Sequence, residues 1–302
     1  MDLIAAEGIE KRFGQLTALR DISLNVRCGE LYGLIGPDGA GKTTFFRILT
    51  TLMPPDGGRA TVDGLDIAAD YRRIRAAVGY MPGRFSLYPD LTVKENLEFF
   101  ATLFGTRLED NYDLIRDIYV QIEPFRSRRA GRLSGGMKQK LALCCALIHR
   151  PRVLFLDEPT TGVDVVSRHE FWDMLSGLKR QGITMLVSTP YMDEAVRCDR
   201  IALIQSGRLL SIDTPQGIIE NYPDALFEVR AENMRQLTDE IRKRCSPQSC
   251  FAFGRSLHVS FSRDDAEAPQ RMRAALTAAG CTNLEIAPIT PSIEDCFIQQ
   301  MR

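Results

Sequence analysis

The chain has 302 residues, 44% of them hydrophobic and 25% charged, and a formal net charge of −1. That length supplies one large domain and a small one, or two modest ones, and the near-zero charge gives no support to nucleic-acid binding, which wants a basic domain or stripe. No run approaches the ~18 consecutive apolar residues of a membrane helix, and Met1-Asp2-Leu3-Ile4 is not a basic region leading into an apolar core, so neither a span nor a secretory signal is expected.

Residues 1–30 alternate in short runs, such as Ile22-Ser23-Leu24-Asn25-Val26, between turn residues, the pattern of an antiparallel β region. Leu31 to Ile35 reads as a buried strand, followed by a Gly-rich turn and a helix from Lys42 to Leu49. Residues 60–67 read as strand and turn, with Asp63-Gly64 as the hairpin signal. From about Thr92 to Ile148 the pattern is helical, with Val93, Leu97, Phe100 and Phe104 at helix spacing. Val153 to Leu156 and Ile183 to Val187 are short apolar runs that suit central parallel strands, and Ile201 to Ile204 is a further strand, ended by Gly207. An α/β core with a helical insertion follows from this order.

The pattern changes after Asn221-Tyr222-Pro223-Asp224. Strand (Leu226 to Val229), helix (Asn233 to Cys245), two strands (Cys250 to Phe253, Leu257 to Phe261), helix (Pro269 to Ala279) and strand (Leu284 to Ile289) give the βαββαβ order of a ferredoxin-like α+β lobe. The expected division is therefore residues 1–221, with a helical subdomain near 83–150, and residues 222–302. The eight cysteines form no CxxC pair and read as small hydrophobes, and the three histidines lack metal-ligand spacing.

Three motifs carry chemistry. Gly36-Pro37-Asp38-Gly39-Ala40-Gly41-Lys42-Thr43 matches GxxxxGK[ST], a turn whose backbone N–H groups cradle phosphates at the positive end of the following helix. Lys42 then reaches the β and γ phosphates and the Thr43 hydroxyl holds Mg²⁺. Val153 to Glu158 is a buried strand that delivers two carboxylates, with Asp157 suited to the Mg²⁺ shell and Glu158 to orienting or deprotonating a water. Leu133-Ser134-Gly135-Gly136-Met137-Lys138-Gln139 opens a helix with a serine cap and two glycines, a turn suited to an anion.

With this third motif the chain resembles the ABC ATPase family of P-loop NTPases, whose signature is LSGGQ, over about residues 3–220. The resemblance implies that residues Gly36 to Thr43, with Thr44 and Asp157, bind MgATP, and that Phe13 stacks on adenine. It further implies that Ser134, Gly135 and Gly136 act on the ATP of an opposite subunit, and that Asp164, in Thr161-Gly162-Val163-Asp164, lies in a loop at the dimer interface. The chain looks most similar to single-cassette ATPases of antibiotic and multidrug exporters, which work at the cytoplasmic face of the membrane with permease subunits and a second ATPase subunit. A soluble ABC ATPase without a permease and a nucleotide-gated regulatory subunit with little turnover are the alternatives.

Two positions depart from the family pattern. Val78-Gly79-Tyr80-Met81-Pro82 is followed by Gly83 where the family has a Gln that touches Mg²⁺ and water, and Ser188-Thr189 is followed by Pro190 where the family has a His on the γ-phosphate. Proline has no side-chain donor and does not titrate. Asp38 replaces a frequent Asn and adds negative charge. These departures imply good ATP binding, poor hydrolysis at the chain's own site and an intact signature lent to a partner, which favours a heterodimer over a homodimer. Arg126, Arg128, Arg129 and Arg132 read as a solvated loop, and Phe85, Leu87, Tyr88 and Leu91 as either a permease dock or local core.

Overall fold

In the computed structural model, which describes residues 1–83 and 86–301, the alternating N-terminal run forms a long hairpin of β1 (Asp2–Phe13) and β2 (Leu16–Arg27). Next come β3 (Leu31–Ile35), α1 (Lys42–Leu49), β4 (Gly57–Val62) and β5 (Leu65–Asp66). Strands β2, β1, β4 and β5 form one antiparallel sheet in that order. Asp63 and Gly64, between β4 and β5, have φ of 51° and 75°, the positive values that a tight two-residue hairpin turn requires.

The chain continues through α2 (Tyr71–Ala77), β6 (Gly79–Met81), α3 (Val93–Leu103), α4 (Tyr112–Tyr119), α5 (Gly135–Leu147), β7 (Val153–Asp157), α6 (Val165–Arg180), β8 (Thr184–Thr189), β9 (Arg200–Gln205) and β10 (Arg208–Asp213). A second sheet has the order β10-β9-β3-β8-β7-β6, parallel except for β10. Every residue of β3, β7 and β8 is buried, the mark of parallel strands covered on both faces. Because β3, β7 and β8 run the same way, the turns leaving all three open at one edge. The open edge at the strand C-termini is where α/β sheets bind ligands.

Between β6 and β7 the chain is helical. Helix α3 is capped by Thr92, whose hydroxyl accepts from Glu95 N while the Glu95 carboxylate accepts from Thr92 N. Asn96 inside it is fully buried and donates to Tyr88 O, Leu91 O and Thr92 O. These bonds tie the loop before the helix to its first turn.

The chain splits into two compact units, Met1–Pro215 and Gln216–Arg302, with α7 (Pro215–Glu220) at the division. The second unit contains β11 (Asp224–Arg230), α8 (Met234–Arg244), β12 (Ser249–Phe253), β13 (Ser256–Ser262), α9 (Ala268–Ala278), β14 (Glu285–Pro288) and α10 (Ile293–Gln300). Its antiparallel sheet has the order β12-β13-β11-β14, the ferredoxin-like arrangement, with Val229, Leu237, Ile241, Val259 and Met272 in its core. Helix α10 goes beyond the expected βαββαβ order. It is capped by Ser292 and carries Asp295, which accepts from His258 Nδ1 at 2.7 Å.

Candidate functional site

At the end of β3 the chain turns through residues 36–41 into α1. Gly41 is the cap of α1, with φ of 107°, and a Cβ there would lie 2.7 Å from Ala18 O. Any side chain would strain the backbone and strike the hairpin, so glycine is required on both counts. Lys42, the first residue of α1, is only 3% exposed, and its Nζ donates to Gly36 O at 2.7 Å and Pro37 O at 2.9 Å. The ammonium is thus held inside the turn, beside the helix end where unpaired N–H groups and the macrodipole attract anions.

Strand β7 brings Asp157 and Glu158 to the same place. Asp157 is 1% exposed and its Oδ1 accepts from Thr43 Oγ1 at 3.2 Å and Ser188 Oγ at 2.7 Å. Burial raises its pKa above the ordinary carboxylate value, against the lowering effect of the Ser188 and Thr43 hydrogen bonds. Glu158 lies 3.0 Å from Lys42 Nζ through Oε1 and sits at φ 50°, a strained region for a non-glycine residue. That backbone is fixed by Glu158 N, which donates to both Ser188 O and Ser188 Oγ.

Phe13, Leu16, Thr17, Arg20, Thr44 and Ser206 line a 420 Å³ cleft with Gly39, Gly41, Lys42, Thr43 and Glu158. Phe13 is 46% exposed there. An open aromatic wall at one end and the Lys42 ammonium with the helix N-terminus at the other fit a ligand that is aromatic at one end and polyanionic at the other. Asp38 is exposed on the turn.

The signature residues lie apart from this cleft and do not line it. Ser134 caps α5, its Oγ accepting from Met137 N at 3.3 Å, and Ser134 and Gly135 are exposed. Gly136 is buried, and a Cβ there would lie 2.7 Å from Ser167 Oγ. The signature turn therefore rests directly on the first turn of α6. Asp164 caps that helix and accepts from Ser167 N at 3.0 Å.

Gly83 is placed beside the acidic pair, where a Cβ would lie 3.0 Å from Asp157 O and 3.7 Å from Glu158 Cβ. Pro190 is half-buried just after β8, with Tyr191 N donating back across it to Thr189 Oγ1 at 3.1 Å. Of the apolar segment after Gly83, Leu87 is buried and Tyr88 is 47% exposed. Phe85 lies outside the described residues.

Sequence reading missed Ser188, which holds both carboxylate-bearing residues in place. Its signal is a hydroxyl near the end of a buried, mostly apolar strand beside the acidic strand. It also missed Arg168 and Glu194, which join segments distant in sequence and have no motif to mark them.

A family model for the ABC transporter matches residues 19–161. The chain is 37% identical over 302 residues to the "Probable multidrug ABC transporter ATP-binding protein YbhF" of Escherichia coli (strain K12), covering 98% of this chain and 51% of that protein. It therefore spans about half the length of that relative. It is 36% identical over 299 residues to the Nod factor export ATP-binding protein I of Burkholderia lata, covering 96% and 94%. With the daunorubicin resistance ATP-binding protein DrrA2 of Streptomyces coeruleorubidus it shares 42% over 227 residues, covering 71% and 68%. Among solved structures it is similar to an ATP-binding subunit of an ABC transporter, with TM-score 0.66 and 26% identity over 73% of this chain and 93% of that one. It is also similar to the ATP-binding cassette MJ0796 in a dimeric post-hydrolysis state with ADP and Pi, with TM-score 0.63 and 25% identity over 70% and 98%.

Proposed function

Since the chain belongs to the ABC transporter ATP-binding family, we propose that it binds MgATP in the Phe13–Lys42 cleft and, paired with a second ATPase subunit, drives a separate membrane permease. The observation that carries this is the meeting of Lys42, Thr43, Asp157 and Glu158 at one edge of the parallel sheet. Lys42 and the N–H groups of the turn hold the phosphates, and Phe13 packs against the base. Thr43 and Asp157 present hard oxygen donors that fit Mg²⁺, the remaining ligands being phosphate and water oxygens. When bound, the cation neutralises phosphate charge. Glu158 orients the attacking water.

Calorimetry of MgATP binding tests the reading. Lys42→Ala is expected to weaken binding about 100-fold, the scale of losing ~3 kcal/mol of charge-assisted hydrogen bonds. Binding unchanged by that substitution would overturn it.

A pH titration tests Asp157. Only its carboxylate form ligates Mg²⁺, and its pKa is raised by burial. The Mg²⁺-dependent part of ATP affinity is therefore complete above that pKa and lost as pH falls through it, at up to ~1.4 kcal/mol per pH unit. The loss begins at a higher pH than for an exposed aspartate. Asp157→Asn removes the Mg²⁺-dependent part at every pH, and an Asp157→Asn variant that keeps it would refute the assignment.

Gly83 and Pro190 remove two groups that a hydrolytic site of this family uses, so turnover at this chain's own site is weak. Its signature is intact and serves the partner's ATP, which favours a heterodimer. The name of the Nod factor export ATP-binding protein supports export, from the cytoplasmic face of the membrane. No helix among the described residues is long and apolar enough to cross a membrane, and the translocation path is assigned to the permease. Its docking place is the 190 Å³ groove between the sheet and the helical segment, lined by Leu52, Tyr80, Leu87, Phe100 and Phe104.

A further inference from the structure

Glu194 is only 4% exposed and lies outside the cleft that holds Lys42 and Glu158. Its Oε2 accepts from Thr189 Oγ1 at 2.5 Å and Thr160 Oγ1 at 3.1 Å, and its Oε1 accepts from Arg168 Nε at 3.1 Å. Thr189 ends β8 next to Pro190, Thr160 follows Glu158 by two residues, and Arg168 lies in the first turns of α6. Arg168 also reaches Asp193 at 3.0 Å and lies over the Tyr191 ring at 4.1 Å. A buried carboxylate is stable only when it is paired and its lone pairs are filled, and here three separate segments fill them.

The signature turn meets the same helix turn one residue away. Ser167, next to Arg168, is the residue that a Cβ at Gly136 would strike. One chain of contacts thus runs from the Asp157–Glu158 loop and the Pro190 turn, through Glu194 and Arg168, to the turn at Ser134–Gly136.

We propose that the Glu194–Arg168 pair is a positioning unit: it fixes the first turns of α6 against the end of β8 and so holds this chain's signature turn in place for the partner's ATP. This rests on the reading that the signature serves the partner's site. A rigid joint suits a subunit whose own phosphate site turns over weakly, because the signature's placement then depends on packed side chains and not on hydrolysis beside it.

The test is hydrogen exchange by mass spectrometry on the isolated chain, with ATPase kinetics of the complex purified from membranes through a tag on this chain. Glu194→Gln and Thr160→Val are the disrupting variants, and Thr160→Ser, which keeps the hydroxyl, is the conservative one. In both disrupting variants exchange is expected to quicken tenfold or more in peptides covering 134–140 and 160–168. It should stay at the parent rate over 42–49, with ATP affinity within twofold. In the complex, kcat should fall about tenfold at unchanged KM, and Thr160→Ser should match the parent in every readout. Quickening confined to residues 189–197, or spread equally over the whole chain, would overturn the proposal, as would parental kcat in Glu194→Gln. If the parent chain fails to bind ATP, the reading of the P-loop site falls, while the exchange pattern over 134–140 still decides the positioning claim.

Discussion

Ser134→Arg is expected to lower ATP hydrolysis by the assembled transporter 100-fold or more, while Glu158→Gln leaves it within about threefold. Ser134 is exposed at the mouth of α5, where its hydroxyl caps Met137 N and the helix offers free N–H groups. An arginine puts a long, bulky side chain on the surface meant to meet a phosphate. Loss of the cap itself costs about 1 kcal/mol, so the protein still folds and the defect is one of function. Glu158 stands in the other site. Its carboxylate faces Lys42, and neither a glutamine at 83 nor a histidine at 190 is there to complete the water's surroundings. Equal damage from the two substitutions, measured as phosphate release by the purified complex, would contradict the division of labour between the two sites.

Restoring both missing groups should have the opposite effect. Removing one positioned donor typically costs about 10²–10³ in rate, so Gly83→Gln with Pro190→His is expected to raise basal turnover at least tenfold, more than either change alone. The structure separates the two changes. Position 190 is half-buried in a turn after β8, and the Tyr191–Thr189 bond across it does not use the proline. Position 83 is tighter, because a side chain there comes within 3.0 Å of Asp157 O, so the segment must shift by a few tenths of an ångström. Gly83→Gln alone should therefore gain little, and the gain in the double variant should vanish when Glu158→Gln is added. No gain in the double variant, with MgATP binding preserved, would mean that these two positions are not what limits the site.

Strands β3, β7 and β8 were legible because each holds a short, mostly apolar run, and β3 and β7 end at a chemical motif, whereas the three residues of β6 are too few to show one. Leu31–Ile35 and the helix Lys42–Leu49 lie where the sequence places them. Helix α6 was less legible. It buries Phe171, Trp172, Leu175 and Leu178, but its first turn exposes Val165 and Val166, which blurs the period. Strand β10 has no fully buried residue and so lacks an apolar run to mark it.

In the site, motifs locate Lys42, Thr43, Asp157 and Ser134 because local spacing creates them. Ser188 and Glu194 act across 31 and 34 residues of chain, on Asp157 and Thr160, and pairs of that separation leave no local pattern. The closeness of Gly83 to Asp157 is likewise tertiary. Sequence shows a missing side chain there but not the lack of room for one.

A chain that holds ATP firmly and hydrolyses it poorly should show both properties in a single sample. Phosphate release by the purified chain would be followed at saturating MgATP, with bound nucleotide counted in the same sample. The expected result is about one nucleotide per chain, recovered as ATP, and turnover below the ~1 s⁻¹ floor of ordinary enzymes. Release of several phosphates per second, with ADP as the bound species, would contradict it.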